Sequence, residues 1–528
     1  MYLVEGCKNC IVKRHVLFLY SSLKGGDQVE AILTFDVGTT AIKTCLFDRA
    51  LKCLAIRTDE YTLSTEEGTV ELACDVYWDT ICHAVAQIKK EVPEAQVQAI
   101  CLTTQGETMI PVDREGNPLH RAVVWLDDRA KDQAEKISKI LTNKDMYYRT
   151  GVTDMNGFVP LPKLLWFKEQ RPDIYEKAYK FLLLEDFILH RLTGAFVTEK
   201  SLLTSTAYYD IRDDRYWTEL LDQLGLDVEK LPQILDCGAM AGLLREQAQK
   251  ELGLSSDVKV FAGAMDQIAA AIGGGGLQNG VVTATVGTAM VLTSAINSMD
   301  ECTDETLIVY RGIQENQYAI LPICSTAGAV FKWFKDQCSA DVVNACKESG
   351  KDPYDVLCEE AAKVAPGADG VIHLPYFCGS LQPQCLPDAK GVFFGLGLTT
   401  NHGSMTRAVL ESIGYMLREN LEMLGSFGIA PKRVHFFGGG AKNPIWNQII
   451  ADITGVELVL LEQSECGSLG AAMMGAVSMG WYDSIGAAQA QNSAKSVVKP
   501  DAALKETYDK AYDRYQTLFR TLVPMFKS

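Results

Sequence analysis

The chain predicts an α/β fold of two related halves that face each other across a cleft, on three observations. A strand-like run, AILTFDV, ends in the acidic turn Asp36-Val37-Gly38-Thr39-Thr40, and a second run, AIKTCLF, leaves it. Much later the pattern returns as VVTATVGTAMVLTS, with Gly287-Thr288 at the bend. Further on, RVHFF runs into Gly438-Gly439-Gly440. Glycine lets a backbone approach an anion closely, and threonine adds a hydroxyl donor. Three such turns at strand ends point to one phosphate-bearing ligand gripped by two lobes.

Bulk properties set the frame. At 528 residues the chain is too long for one core,. Its 47% apolar and 22% charged residues are those of an ordinary globular protein,. The net charge of −17 argues against nucleic acid or an anionic membrane as partner,. It leaves phosphate ligands open, because loop amides and helix N-termini bind them with few basic side chains. The 16 cysteines mostly sit singly in apolar runs, as small buried hydrophobes of a reducing cytosol,. Cys7-Lys8-Asn9-Cys10 has CxxC spacing but no second Cys or His pair behind it,. Residues 1–28 read as a poorly ordered extension, and no apolar stretch is long enough to span a membrane,.

The elements follow in order. The opening hairpin leads to a helix near residues 78–92, a strand at 99–104 and a run at 122–126 before Asp127-Asp128-Arg129. Residues 158–193 carry helical periodicity, with Pro172 breaking one helix from the next,. Gly273-Gly274-Gly275-Gly276 marks the boundary between lobes 29–272 and 273–528, as a hinge or as a tight helix-end approach. Residues 484–500 read as a polar surface stretch.

Two acids stand out. Asp36 either accepts hydrogen bonds from its own turn or holds Mg²⁺ while the loop amides face a phosphate,. Asp266 sits alone in AGAMDQ ahead of Ile268-Ala269-Ala270-Ala271-Ile272, where a charge is costly unless it has partners or a task,. It either caps that helix or acts as the base for a substrate hydroxyl, and the two roles are compatible. The glycine loop at Gly438 opens a further helix able to accept a nucleotide,. No GxxxxGK[ST] loop occurs, and His190-Arg191 is followed by Leu192, so neither a P-loop nor a protein-kinase fold is expected,.

Together these motifs resemble the FGGY carbohydrate kinases, of the ribonuclease H-like, actin-like ATPase fold. Residues 158–170 (FVPLPKLLWFKEQ) match the family's first signature; residues 391–396 through 407–411 match the second, apart from Ser404. The resemblance implies ATP and Mg²⁺ as cofactors, with Asp36 at the metal and Asp266 as catalytic base. It places Thr39, Thr40, Gly287 and Thr288 on the phosphates, and Gly438, Gly439, Gly440, Ala441 and Asn443 around the adenosine.

Substrate residues are expected on the first lobe: Gln105, Glu107, Trp125, Asp266 and Gln267. The segment Thr104-Gln105-Gly106-Glu107-Thr108 resembles the polyol-binding segment of glycerol kinases, with Gly106 in place of their arginine and Phe158 in place of a tyrosine. Trp125-Leu126-Asp127-Asp128-Arg129 fits a WxDxR pattern shared with xylulokinases, without their Met-His-Gly triplet. Trp125 reads equally as a cover over the sugar and as a core residue. A ketopentose such as xylulose is the expected substrate, with glycerol or another small polyol as alternative. A non-catalytic sugar sensor is the reading from a different class. A cytoplasmic enzyme is expected, with a homodimer left open.

Overall fold

The structure, a computed structural model, describes residues 28–527 apart from 67, 279, 302–304 and 315. The extension expected at residues 1–28, with its CxxC pair, lies outside the described residues but for residue 28.

The opening hairpin forms as its β-branched and aromatic residues dictate. Strand β1 (Val29–Val37) pairs antiparallel with β2 (Ala41–Asp48), which pairs with β3 (Cys53–Glu60). Helix α1 (Cys74–Glu91) buries Tyr77, Trp78, Ile81, Val85 and Ile88 on one face, then returns the chain as β4 (Ala95–Thr104), parallel to β1. A long excursion follows before β5 (Met240–Leu243) and β6 (Lys259–Met265) complete a six-stranded sheet in the order β5-β6-β4-β1-β2-β3.

Within the excursion, α2 (Pro160–Gln170) and the turn of helix Pro172–Lys177 are separated as Pro172 requires,. The helical reading of 158–193 fails at Lys180–Leu183, a strand paired antiparallel with Met109–Val112. A short apolar run such as KFLL has no period of its own to distinguish strand from helix. Helix α3 (Leu184–Thr193) follows, and the one-turn α4 (Lys200–Leu203) comes soon after. From β6 the chain passes directly into α5 (Asp266–Gly273).

The second sheet repeats the first. Strands β7 (Val282–Val286), β8 (Met290–Ile296), β9 (Ile308–Arg311) and β10 (Tyr318–Leu321) form its antiparallel side, and helix α6 (Gly328–Cys338) follows. Helix α7 (His402–Ser426) leads to β11 (Arg433–Phe437), parallel to β7. Helix α8 (Pro444–Thr454), β12 (Glu457–Leu461), helix α9 (Cys466–Ser478) and β13 (Ala494–Val498) complete it. Its order, β9-β10-β8-β7-β11-β12-β13, reproduces β3-β2-β1-β4-β6-β5 with β9 added at the edge. Residues 484–500 are thus more than surface: β13 is an edge strand on β12, and the nearby Gln489 and Asn492 are buried and bonded to Ile272, Gly276 and Gly273 carbonyls.

Helices α5 and α9 cross at the centre of the molecule. A methyl group on Gly273 would lie 2.0 Å from the Cys466 carbonyl oxygen, and one on Gly470 would lie 1.9 Å from that of Ala269. The glycines at 273–276 therefore serve close approach rather than slack: Gly274 presses on Phe437 and Gly276 on Thr283.

Candidate active site

Two cavities adjoin, sharing Gly439 and Lys442 on their walls; the smaller lies between the two lobes and the larger within the second. The smaller, of about 280 Å³, is lined by Asp36, Lys43, Asp266, Gln267, Gly438 and Glu465 among others. The larger, of about 670 Å³, runs between Gly287-Thr288, α6, Tyr354 and the Gly440–Asn443 turn, with Phe331, Trp333 and Trp446 as its apolar surfaces.

Local folding explains each placement. Asp36 is the penultimate residue of β1, and the turn after it is closed by the Gly38 amide donating to Ala41 (3.0 Å) and by the Tyr61 hydroxyl donating to the Gly38 carbonyl. Asp266 is the first residue of α5, with Met265 at the cap position, and its carboxyl accepts from the backbone and side chain of the adjacent Gln267. Gly287 and Thr288 are tied to the start of α6 by Ala327 and Gly328 amides (2.8 and 2.9 Å). Gly438 has φ of +93°, and a methyl there would meet the Val286 carbonyl at 2.8 Å, so glycine is required where β11 turns toward the cleft,. Asn443 caps α8, accepting from the Ile445 and Trp446 amides and donating to Asp355 (2.8 Å),.

Thus Asp36, Asp266, Gln267, Gly438 and Gly439 gather around the small cavity, and Gly287, Thr288, Gly439, Gly440 and Asn443 around the large one. Ala441 packs against the core, and its carbonyl accepts from Asn447. Thr39 and Thr40 sit on the Asp36 turn, where the Thr39 hydroxyl accepts from the Trp125 indole N–H (2.9 Å). Trp125 is half-buried, its body against the first lobe's core, and it lines neither cavity,.

Gln105 is buried beside the Tyr77 hydroxyl, its backbone amide bonded to Val37 at the end of β1. Glu107, in a left-handed conformation with φ of +59°, has Ser205 and Lys163 as neighbours.

The electrostatics are those of a cleft crowded with acids. Burial, reinforced by the Asp36 and Glu107 charges, pushes the Asp266 carboxyl up to about 7,. Burial also raises Asp36, partly offset by Lys43. Burial alone would lower Lys43, but its ion pair with Glu465 across the lobes, together with Asp36, holds it protonated. Burial brings Lys163 down to about 7 against the opposing pull of Glu107; its ammonium donates to the Val124, Glu107 and Trp125 carbonyls.

Several residues here were not expected at the site, although residues 465–472 read in the sequence as the start of a small-residue helix able to pack closely. Glu465 and Gly467 open α9 against the first lobe, and a methyl on Gly467 would lie 2.9 Å from the Asp36 carboxylate. Ser205 neighbours Gly106, at 3.3 Å from the methyl position there. Tyr310, on β9 of the second sheet, is buried with Glu107, Asp266 and Ser205 as its polar neighbours. Strand β9 reaches the first lobe through the Arg311 amide, which donates to Thr204 (3.1 Å), and the Arg311–Asp214 ion pair. Lys163 stood inside the signature at 158–170, where it is a cation in an otherwise apolar stretch of helix.

Comparison with known proteins agrees with this architecture. The xylulose kinase of Staphylococcus xylosus is 27% identical over 490 residues, covering 92% of this chain and 99% of its own. The gluconokinase of Bacillus licheniformis is 28% identical over 456 residues, covering 86% and 88%. Among solved structures, a ligand-bound xylulose kinase from Lactobacillus acidophilus superposes with a TM-score of 0.84 at 24% identity, covering 94% of this chain and 99% of that one. The Plasmodium falciparum glycerol kinase with ADP gives 0.82 at 22% identity, covering 94% and 99%. These likenesses share the two-domain, actin-like ATPase fold. Residues 31–273 match the N-terminal domain and residues 281–479 the C-terminal domain of one family. The chain belongs to the FGGY family of carbohydrate kinases, and it is a sugar phosphotransferase.

Proposed function

We propose that the protein transfers the γ-phosphoryl group of ATP to a hydroxyl of a small, neutral sugar, a ketopentose such as xylulose. The observation that carries this reading is the pair of adjoining cavities, one holding Asp36 and Asp266, the other lined by apolar rings and the Gly287 and Gly440 turns. The larger volume suits a nucleoside, and the smaller suits the phosphates and the reacting hydroxyl. On this reading residues 29–272 supply the sugar site and 273–528 the nucleotide site.

Asp266 takes the proton of the sugar hydroxyl as its oxygen bonds to phosphorus and the bond to ADP breaks. A carboxyl raised to about 7 is matched to that task near neutral pH,. Gln105, Glu107, Trp125 and Gln267 orient the sugar; Thr39, Thr40, Gly287 and Thr288 bond phosphate oxygens; Gly438, Gly439, Gly440, Ala441 and Asn443 frame the adenosine. Lys43 and Lys442 stand at the same cavity and balance phosphate charge. Among the described residues no group of three metal-ligating side chains occurs. Asp36, beside Lys43 in the small cavity, would hold Mg²⁺ carried by phosphates and water,. When bound, Mg²⁺ neutralises phosphate charge.

Charge favours a neutral substrate over an aldonate. Glu107 and Asp266 belong to the sugar set, and most cations around them are already engaged: Lys43 on Glu465, Lys163 on backbone carbonyls, Arg311 and Lys200 on Asp214, Arg129 on Asp127 and Glu71, with Lys442 at the phosphate cavity. A sugar carboxylate would meet acids and compete with the phosphates for Lys442,. Glycerol or another small polyol is the second reading, supported by the Glu107, Asp266 and Gln267 set. ADP release measured across xylulose, ribulose, glycerol, erythritol and gluconate tests this: the neutral ketopentoses should lead, and preference for gluconate would overturn the charge argument. Silence on every substrate would favour a sugar-binding sensor.

A further inference from the structure

Asp266 is aimed by its backbone. Its own hydrogen bonds come from the adjacent Gln267, so the direction of the carboxylate follows the end of β6. That strand end is irregular: the register of β6 with β4 slips between Phe261 and Ala264, and a methyl on Gly263 would lie 1.4 Å from the Leu102 carbonyl oxygen. Amides here would miss the ladder, and an unmade buried hydrogen bond is costly. Two buried groups from the excursion receive them. The Gly263 amide donates to Glu185 Oε1 (2.8 Å), and the Met265 amide donates to Ser201 Oγ (2.9 Å).

Ser201 is itself fixed. Its hydroxyl donates to Glu199 Oε1 (2.9 Å), which leaves a lone pair for the Met265 amide,. Glu199 in turn accepts from the Ser201 and Leu202 amides (2.6 Å each) and from the Cys237 thiol (2.9 Å). Glu185, Glu199 and Ser201 are all fully buried. Two buried carboxylates near one another are expensive, and an apolar core would serve stability better. What they do achieve is a fixed strand end one residue before the catalytic acid.

We propose that Ser201, held by Glu199, and Glu185 are positioning residues that set the aim of Asp266 by receiving the backbone amides of Met265 and Gly263. This rests on Asp266 being the base. A shift of about 1 Å in a reacting group is enough to lower turnover up to about 10²-fold without touching the other substrate's site.

The test compares the whole enzyme with its Ser201→Ala, Ser201→Thr and Asp266→Asn variants, using the neutral sugar of highest turnover. Ser201→Ala should lower kcat by about 10-fold while the KM for ATP stays within about two-fold, and Ser201→Thr, which keeps the hydroxyl, should recover most of the loss. Wild-type kcat in Ser201→Ala, with Asp266→Asn silent, would overturn the positioning role alone. A parallel loss of kcat, ATP affinity and melting temperature that Ser201→Thr does not rescue would reduce Ser201 to a structural residue. Near-normal turnover by Asp266→Asn would remove the base assignment and this inference with it.

Discussion

The two lobes share one topology and differ in what their equivalent turns carry. The β1–β2 turn bears Asp36 with Thr39 and Thr40; the β7–β8 turn bears Gly287 and Thr288 with no acid. The helices after the third parallel strands differ in the same way: α5 begins with Asp266 inside the cleft, whereas the residue before α9, Glu465, is paired with Lys43. The same hairpin-and-crossover unit thus carries acids facing the small cavity in the first lobe and an uncharged Gly-Thr turn in the second. The difference teaches that function here resides in a few charges placed on a repeated frame.

That contrast can be broken at its strongest point first. Asp266→Asn should lower kcat by about 10²–10⁴-fold with ATP binding intact, as read by steady-state kinetics and nucleotide titration. Asp36→Ala should lower kcat by about 10²-fold and shift the Mg²⁺ titration to higher concentration; an unchanged titration would count against Asp36 as the metal's holder. Trp125→Phe removes the indole donor to Thr39, and the KM for sugar should rise by about 5–10-fold while that for ATP stays put. A rise in both would show that the indole also holds the Thr39 turn in place on the phosphates.

The smallest expected effect concerns stability. Burial raises the folded-state carboxyl of Asp266 from its ordinary value near 3.8 to about 7. Between these values the folded protein holds a proton that the unfolded chain has lost, so this group's contribution to stability falls as pH rises through that window and is flat above it. Asp266→Asn should therefore melt a few degrees above wild type at pH 8 without ligand, and closer to it at pH 5. Equal melting shifts at both pH values would contradict the raised carboxyl. Activity should run the other way, rising with pH toward 7 as the base ionises.

Much of the frame was legible in the chain. Both hairpins, the Pro172 break and the glycine turn before α8 follow from local rules about β-branched residues, proline and glycine. What the chain concealed depends on contacts between distant segments. KFLL at 180–183 became a strand only because Met109–Val112 offered a partner, and β13 formed at a polar edge for the same reason. Tyr310 and Gly467 reach Asp266 and Asp36 from the other half of the chain, which no window of neighbouring residues reveals. The glycines at 273–276 could be read as hinge or as close contact, and only the 2.0 Å approach to Cys466 decided for contact.

If the acids of the first lobe drive phosphoryl transfer to a neutral sugar, turnover must depend on both Asp266 and the charge of the substrate. Sugar-dependent ADP release by wild type and Asp266→Asn, with xylulose beside gluconate, tests it most directly. Release should be rapid with xylulose and slow with gluconate, and Asp266→Asn should lose the xylulose signal. Gluconate turning over faster than xylulose, or Asp266→Asn retaining wild-type release, would contradict it.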